Sequence, residues 1–409
     1  MIDPVILVLT LVMVGQVLLS VPVLLGKVKH LPVNLPLALF LLACGVLAMV
    51  PIVRIQFLEE YQVFSALAFP TLLLLCPCLW LYVEGITSHQ RWKINRAHSR
   101  HFALLLPGLL VSAMMFLLSK EEHTALFIDD LDATTPIGIV VSISLLVIMV
   151  LWLGQCIYTT YLIVRRLILY KKRLKDTFSN HEGKELNWLL FIAGSIWLLI
   201  LSTAFYSNVM NSLLFNVRAE AVLSLLLIWS AAHYGLQQKS GLLEYEEESD
   251  RELCQGEDRL ECNERVEAIK VNKIALAERE NKKYQRSALS VEQANRIAIK
   301  MNDVMKTEAL YLDSTLSLQK LSRHLTISPN YISQTLNETL STNFFDFINQ
   351  WRIEAAKPKI LENKSTILEV ALEVGFNARS SFYKAFKQEV GLSPREFRKQ
   401  HCSSLKASK

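Results

Sequence analysis

No His-Glu-x-x-His pair, no P-loop and no Gly-x-Ser-x-Gly elbow occurs in the 409 residues. Those patterns hold catalytic zinc, cradle nucleoside phosphates and present a nucleophilic serine, so the enzyme classes built on them are disfavoured. The seven cysteines form no framework. Cys44, Cys76, Cys78 and Cys156 stand in apolar stretches, where thiols pack as small apolar groups. Cys76-Pro77-Cys78 has the wrong spacing for a redox or zinc pair. Cys254 and Cys262 lie in a polar stretch, and a redox sensor there is the minor reading. We expect no catalytic residue, no metal ligand, no cofactor and no enzyme.

Charge is the other scarcity. Seven apolar runs, at 4–26, 33–53, 62–83, 102–119, 137–163, 187–210 and 219–236, carry almost no Asp, Glu, Lys or Arg in their middles. A bilayer core takes about 20 apolar residues per crossing. No ladder of ionisable side chains crosses these runs, which disfavours a proton-coupled pump. The first run lacks the basic flank and cleavage site of a signal peptide.

The loops carry the missing charge. Lys27 and Lys29 follow run 1, Arg91, Lys93, Arg96 and Arg100 follow run 3, and Arg165, Arg166, Lys171, Lys172, Arg173, Lys175 and Lys184 follow run 5. The alternate loops hold one basic residue each, Arg54, Lys120 and Arg218. The positive-inside rule then puts the N-terminus outside and residue 237 onward in the cytoplasm. The outer loop 120–136, with Glu121, Glu122, His123, Asp129, Asp130 and Asp132, reads as a solvated loop before a cation site. Gln16, Ser195, Asn208 and Asn211 read as polar ties between helices.

Residues 244–280 hold thirteen acidic against six basic residues, a solvated spacer. Val291, Ala294, Ala298, Met301 and Met305 then alternate three and four apart. So short a seam suits a homodimer and docking onto a neighbouring domain equally.

The last hundred residues contain a repeat. Thr366 and Glu369 form a capping box, Ile367, Val370, Ala371 and Val374 share one face, and Gly375 permits a sharp turn. A second helix follows from about 378 to 390, with Phe382 and Phe386 inward. Earlier, Ser317 caps a helix bearing Leu318, Leu321 and Leu325. Thr326 stands where Gly375 recurs, and Ser328-Pro329 opens a helix with Ile332 and Leu336 inward. Between the copies, Asn343 caps a helix of about 18 residues, roughly 27 Å long. Pro358 inside it should kink or split it. Helix, tight turn and helix is the geometry that lays a second helix into a DNA major groove, and successive groove faces lie roughly 34 Å apart.

Residues 309–400 resemble the DNA-binding domain of AraC-type bacterial transcription regulators. The match is carried by Asn330-Tyr331-Ile332-Ser333, Phe347-Ile348-Asn349-Gln350-Trp351-Arg352-Ile353, Ala371-Leu372-Glu373-Val374-Gly375-Phe376, Ser381-Phe382-Tyr383-Lys384-Ala385-Phe386-Lys387 and Gly391-Leu392-Ser393-Pro394-Arg395-Glu396-Phe397-Arg398. The resemblance implies base-contacting positions early on each second helix: Asn330, Ser333, Gln334 and Asn337, then Arg379, Ser380, Tyr383 and Lys384. It also implies RNA polymerase as a partner beside double-stranded DNA. The expected fold is all-α: a seven-transmembrane helix bundle at 1–236, a helical linker at 237–308, a double helix-turn-helix domain at 309–401 and a tail at 402–409. The expected function is transcription regulation from the bacterial inner membrane, with the bilayer and an unknown signal ligand as further partners. A passive anchor and a transporter fused to a regulator stay open as alternatives.

Overall fold

The structure is a computed structural model that describes residues 3–29, 31–88, 92–129, 131–180, 186–209, 213–238 and 289–407. Among these the regular structure is helical, apart from one isolated antiparallel bridge between Phe178 and Ser317. The all-α expectation holds. The acidic spacer 244–280, with Cys254 and Cys262, and Asn211 lie outside the described residues. The chain divides into two compact units, one of Met1–Ile168 with Leu186–Glu247 and one of Leu169–Glu185 with Glu248–Lys409.

The first unit contains α1 (Pro4–Gly26), α2 (Asn34–Gln56), α3 (Tyr61–Ile86), α4 (Leu105–Leu117), α5 (Lys120–Phe127), most of α6 (Pro136–Thr177), α7 (Asn187–Val209) and α8 (Leu213–Gln237). Each of the seven apolar runs contains a helix. Five are long and apolar enough to cross a membrane, six if Arg96–Phe102 and Leu105–Leu117, bent by 43°, make one span. Asn187–Ser202 is a shorter apolar helix. α2 packs against α1, α3 and α8, and α7 against α8. Small residues allow close approach: Ala66, Ala231 and Ala232 are fully buried. Many large apolar side chains face out, with Leu19, Leu106, Leu110, Leu117 and Leu146 66–73% exposed.

Polar groups settle locally. Gln16 bonds Ser20 and Ser195 bonds the carbonyl of Phe191, each within its own helix and not across helices as the sequence suggested. Ties between helices come from Gln62, whose Nε2 donates to the carbonyls of Met115 and Leu118, and from Trp197, whose indole donates to Thr160. The acidic loop is not simply solvated. Glu122 is buried and accepts from the amide and hydroxyl of Thr135, and buried His123 packs between Tyr61 and Phe127. No group of three potential metal ligands occurs among the described residues.

The second unit contains α9 (Val291–Glu308), α10 (Leu318–Leu325), α11 (Pro329–Gln334), α12 (Phe344–Glu362), α13 (Ile367–Glu373), α14 (Arg379–Val390) and α15 (Pro394–Ala407). It has two cores. Met301, Met305, Leu321, Ile332, Leu336, Phe344, Phe347 and Ile348 build one; Ile353, Ala356, Ile360, Val370, Phe376, Phe382, Phe386 and Phe397 build the other. The lower part of the α9 seam docks within the unit, where Met301 and Met305 join the first core and Lys300 donates to the carbonyl of Leu325.

α12 serves both cores, and it does not split at Pro358. Proline removes one amide donor, and the carbonyl left unpaired belongs to Glu354 on the exposed side, where water can solvate it. Ile353, Ala356 and Ile360 bracket the proline and are anchored in one core, which holds both halves in line.

Candidate nucleic-acid interface

In the first module Ser317 caps α10 by accepting from the amide of Lys320. Thr326 then takes the left-handed conformation, φ 57°. That is costly for a β-branched residue. The turn is held by the amide of Ile327 on the carbonyl of Ser322 and by the Ser322 hydroxyl on the carbonyl of Ile327. Pro329 opens α11, but the Ser328 side chain makes no capping bond, so proline's fixed φ opens the helix without it. A π-helical turn at Thr335–Thr339 follows, which the periodicity did not indicate.

In the second module the Thr366–Glu369 capping box forms in both directions. These bonds hold the Glu369 carboxyl below its usual range, the backbone bond from Thr366 foremost. Gly375, φ 92°, makes the turn, and a Cβ there would lie 2.7 Å from the carbonyl oxygens of Tyr311 and Leu312. Glycine is therefore required twice, for its φ and for the approach of that strand of chain. Ser393 and Glu396 form a second capping box on α15, and Arg398 ties it to the carbonyls of Ile360 and Ser365.

The eight residues singled out by resemblance fall four on each second helix and its continuation. Asn330, Asn337, Arg379, Ser380 and Lys384 are exposed; Ser333, Gln334 and Tyr383 are half-buried. Gln334 Nε2 donates to Glu338 at 2.9 Å, and Asn337 Nδ2 to the carbonyl of Ser333 at 2.9 Å. The Arg379 guanidinium lies 5.0 Å from the centre of the Tyr383 ring. These amides and this guanidinium are the groups that fork onto adenine and guanine edges in the major groove. Glu338 was missed in the sequence, although its place four residues after Gln334 was the available signal. Residues 310–409 carry fourteen Lys or Arg against nine Asp or Glu, an excess suited to phosphate contact.

Arg352 was also missed as more than a motif residue. It is wholly buried on α12 where the two cores meet. Its Nε donates to the carbonyl of Tyr311 at 2.7 Å and its Nη2 to that of Asp313 at 2.8 Å. Nη1 and Nη2 also reach the carbonyl and hydroxyl of Ser179, each at 3.2 Å. The guanidinium lies 5.5 Å from the centre of the Phe376 ring. Burial lowers its pKa to about 10, partly offset by the charge of Asp313.

Residues 321–400 match a family described as a helix-turn-helix domain. Over 99 residues the chain is 33% identical to an uncharacterized HTH-type transcriptional regulator of Staphylococcus aureus strain COL, covering 24% of this chain and 13% of that one. Over 87 residues it is 28% identical to the melibiose operon regulatory protein of Escherichia coli K12, covering 21% of this chain and 29% of that one. Among solved structures it is similar to the C-terminal domain of AraT, a response regulator from Geobacillus stearothermophilus. That likeness has 28% identity and a TM-score of 0.23, and covers 28% of this chain and 88% of that one. The C-terminal region is similar to the helix-turn-helix domains of transcription regulators. The match spans 13% and 29% of these two curated relatives' length.

Proposed function

We propose that the chain is a membrane-embedded, non-enzymatic transcription regulator that reads a bipartite DNA site and answers to a signal received by its apolar unit. The observation that carries the DNA half is the pair of helix-turn-helix modules on one helix, each presenting a polar second helix. Asn330, Ser333, Gln334 and Asn337 would read one half-site, and Arg379, Ser380, Tyr383 and Lys384 the other. Each good bidentate contact contributes about 1–3 kcal/mol of discrimination.

The membrane half is supported by the apolar helices, by their exposed leucines and by the alternating loop charge, which favours a cytoplasmic side for the reading unit. Signal reception is supported by a cavity of about 480 Å³ among α1, α2, α3, α6, α7 and α8. It is lined mainly by apolar side chains such as Phe40 and Trp152, with Thr10, Ser224 and Glu220 as polar points. That combination suits a small, largely apolar ligand. A ligand acts there only through its differential affinity for two arrangements of the unit.

The test is selection of random duplexes by the full chain in lipid nanodiscs at several salt concentrations, beside the double variant Gln334→Ala, Arg379→Ala. Two enriched short motifs about one helical turn apart, lost in the variant, are expected. Salt-sensitive binding with no motif, equal in both proteins, would overturn the reading.

A further inference from the structure

The contact between Arg352 and Ser179 joins positions 173 apart in the chain. Ser179 belongs to the short described stretch 169–180 that packs as part of the second unit, although in sequence it follows the fifth apolar run. Tyr170, Leu174 and Phe178, four residues apart on the end of α6 and just beyond it, are all buried, as is Ser179. Phe178 bridges Ser317, the capping residue of α10. The amide and hydroxyl of Ser179 both donate to the carbonyl of Leu316, at 3.2 and 2.6 Å. Lys175 Nζ stands 5.9 Å from the centre of the Phe345 ring, at the start of α12.

The stretch therefore docks at the start of both α10 and α12, and Arg352 is the centre of the dock. Its guanidinium gathers three pieces of chain: the carbonyls of Tyr311 and Asp313 ahead of the first module, Ser179 from the tail of α6, and the Phe376 ring of the second module. The same Tyr311–Leu312 stretch is the backbone against which Gly375 turns. All four hydrogen bonds described for the guanidinium go to neutral oxygens, and Ser179 supplies half of them. A buried cation that loses acceptors must move, take up water or find others. α11 and α14 each rest on a separate core, so such a change alters the setting between modules more than either module itself.

We infer that residues 175–180 are a built-in occupant of the DNA-binding unit, and that Ser179, through Arg352, sets the relative placement of the two modules and hence the half-site spacing the protein accepts. Ser179 is a positioning residue and touches no DNA. The inference rests on the DNA-reading assignment above, and it gives the tail of an apolar helix a direct hold on the geometry of reading.

The dock is tested first without DNA. Antiparallel bridge partners stand about 4.5–5.5 Å apart at Cα, within disulfide range. The full chain carrying Phe178→Cys and Ser317→Cys, in native membranes under mild oxidation, is expected to form that disulfide, with each single substitution as control. Adding Ser179→Lys, which sets a second cation against Arg352, is expected to lower the yield on the order of tenfold, the scale of a charged hydrogen bond. Ser179→Glu, which supplies an acceptor, is expected to retain it.

The consequence is read by repeating the duplex selection in nanodiscs. Ser179→Lys should keep both half-site motifs but broaden or shift their preferred spacing, and Ser179→Glu should keep the wild-type spacing. Absence of the disulfide in a folded chain, or identical spacing in wild type and both variants, would overturn the inference. If wild type enriches no motif, the DNA-reading assignment fails and the spacing claim falls with it, while the disulfide still decides whether the dock exists.

Discussion

The two units of this chain solve opposite packing problems. In the second, Phe382 and Phe386 are wholly buried, and few large apolar side chains, such as Leu372, stand exposed. In the first, Ala66, Ala231 and Ala232 are buried, as are Leu37, Leu41 and Phe40, while many other leucines, Leu19, Leu106 and Leu146 among them, stand exposed. Water drives apolar side chains together in one. In the proposed lipid surround of the other, that drive would be absent and close approach of small residues would hold the helices together. The proposed membrane setting of the first unit and aqueous setting of the second account for that difference.

That contrast can be broken most severely by truncation. Phe382→Ala should destabilise the second unit by about 3–5 kcal/mol and abolish DNA binding, because the cavity sits in the second module's core. Leu146→Ala, at a residue 66% exposed on α6, should change stability by no more than about 0.5 kcal/mol. Thermal unfolding of both variants in nanodiscs makes the comparison.

Charge sharpens it. Leu146→Arg should impair insertion by about 2.5–3.5 kcal/mol if α6 crosses near its middle there. Leu372→Arg, at a residue 52% exposed in the second unit, should cost no more than about 0.5 kcal/mol. Membrane recovery after alkaline washing reads the first, and unfolding reads the second.

Within the reading unit, Arg379→Ala alone should lose about 1–3 kcal/mol of specific binding and relax selectivity at one position of its half-site, measured by binding to singly mutated duplexes. Asn349 is buried with neither amide atom paired. Asn349→Leu should therefore stabilise the unit by about 1 kcal/mol, seen as a higher melting temperature.

The smallest effect is acid sensitivity at the two capping boxes. Glu369 and Glu396 are held below the ordinary glutamate value of 4.5 by hydrogen bonds from Thr366 and Ser393. A carboxyl with a depressed folded pKa stabilises above its unfolded value and loses that contribution as pH falls through the folded one. Stability should therefore drop slightly below pH 4.5, and Glu369→Gln should flatten part of the drop in an acid titration followed by circular dichroism.

Much of this was legible in the sequence, for reasons that differ by residue. Capping boxes are local: Thr366 with Glu369 and Ser393 with Glu396 read directly and form as expected. The inward residues named on the helices of the two modules all reached a core. Pro358 misled because its cost depends on which carbonyl is left unpaired and on which side of the helix, a matter of burial and not of composition. The stripe on α9 could not choose between a second copy and a neighbouring domain, since both offer the same apolar surface. The partnership of Ser179 with Arg352 was invisible, because a serine in a basic loop gives no local sign of a partner in another part of the chain.

The central claim is that one chain is split between a bilayer and an aqueous DNA-reading unit, and labelling across the membrane tests it most directly. Leu131→Cys in the acidic loop and Leu372→Cys in the second module both offer exposed positions. In spheroplasts, a membrane-impermeant maleimide should label position 131 from outside and position 372 only after permeabilisation. Labelling of both from the same side, or release of the intact chain from membranes by alkaline washing, would contradict the account.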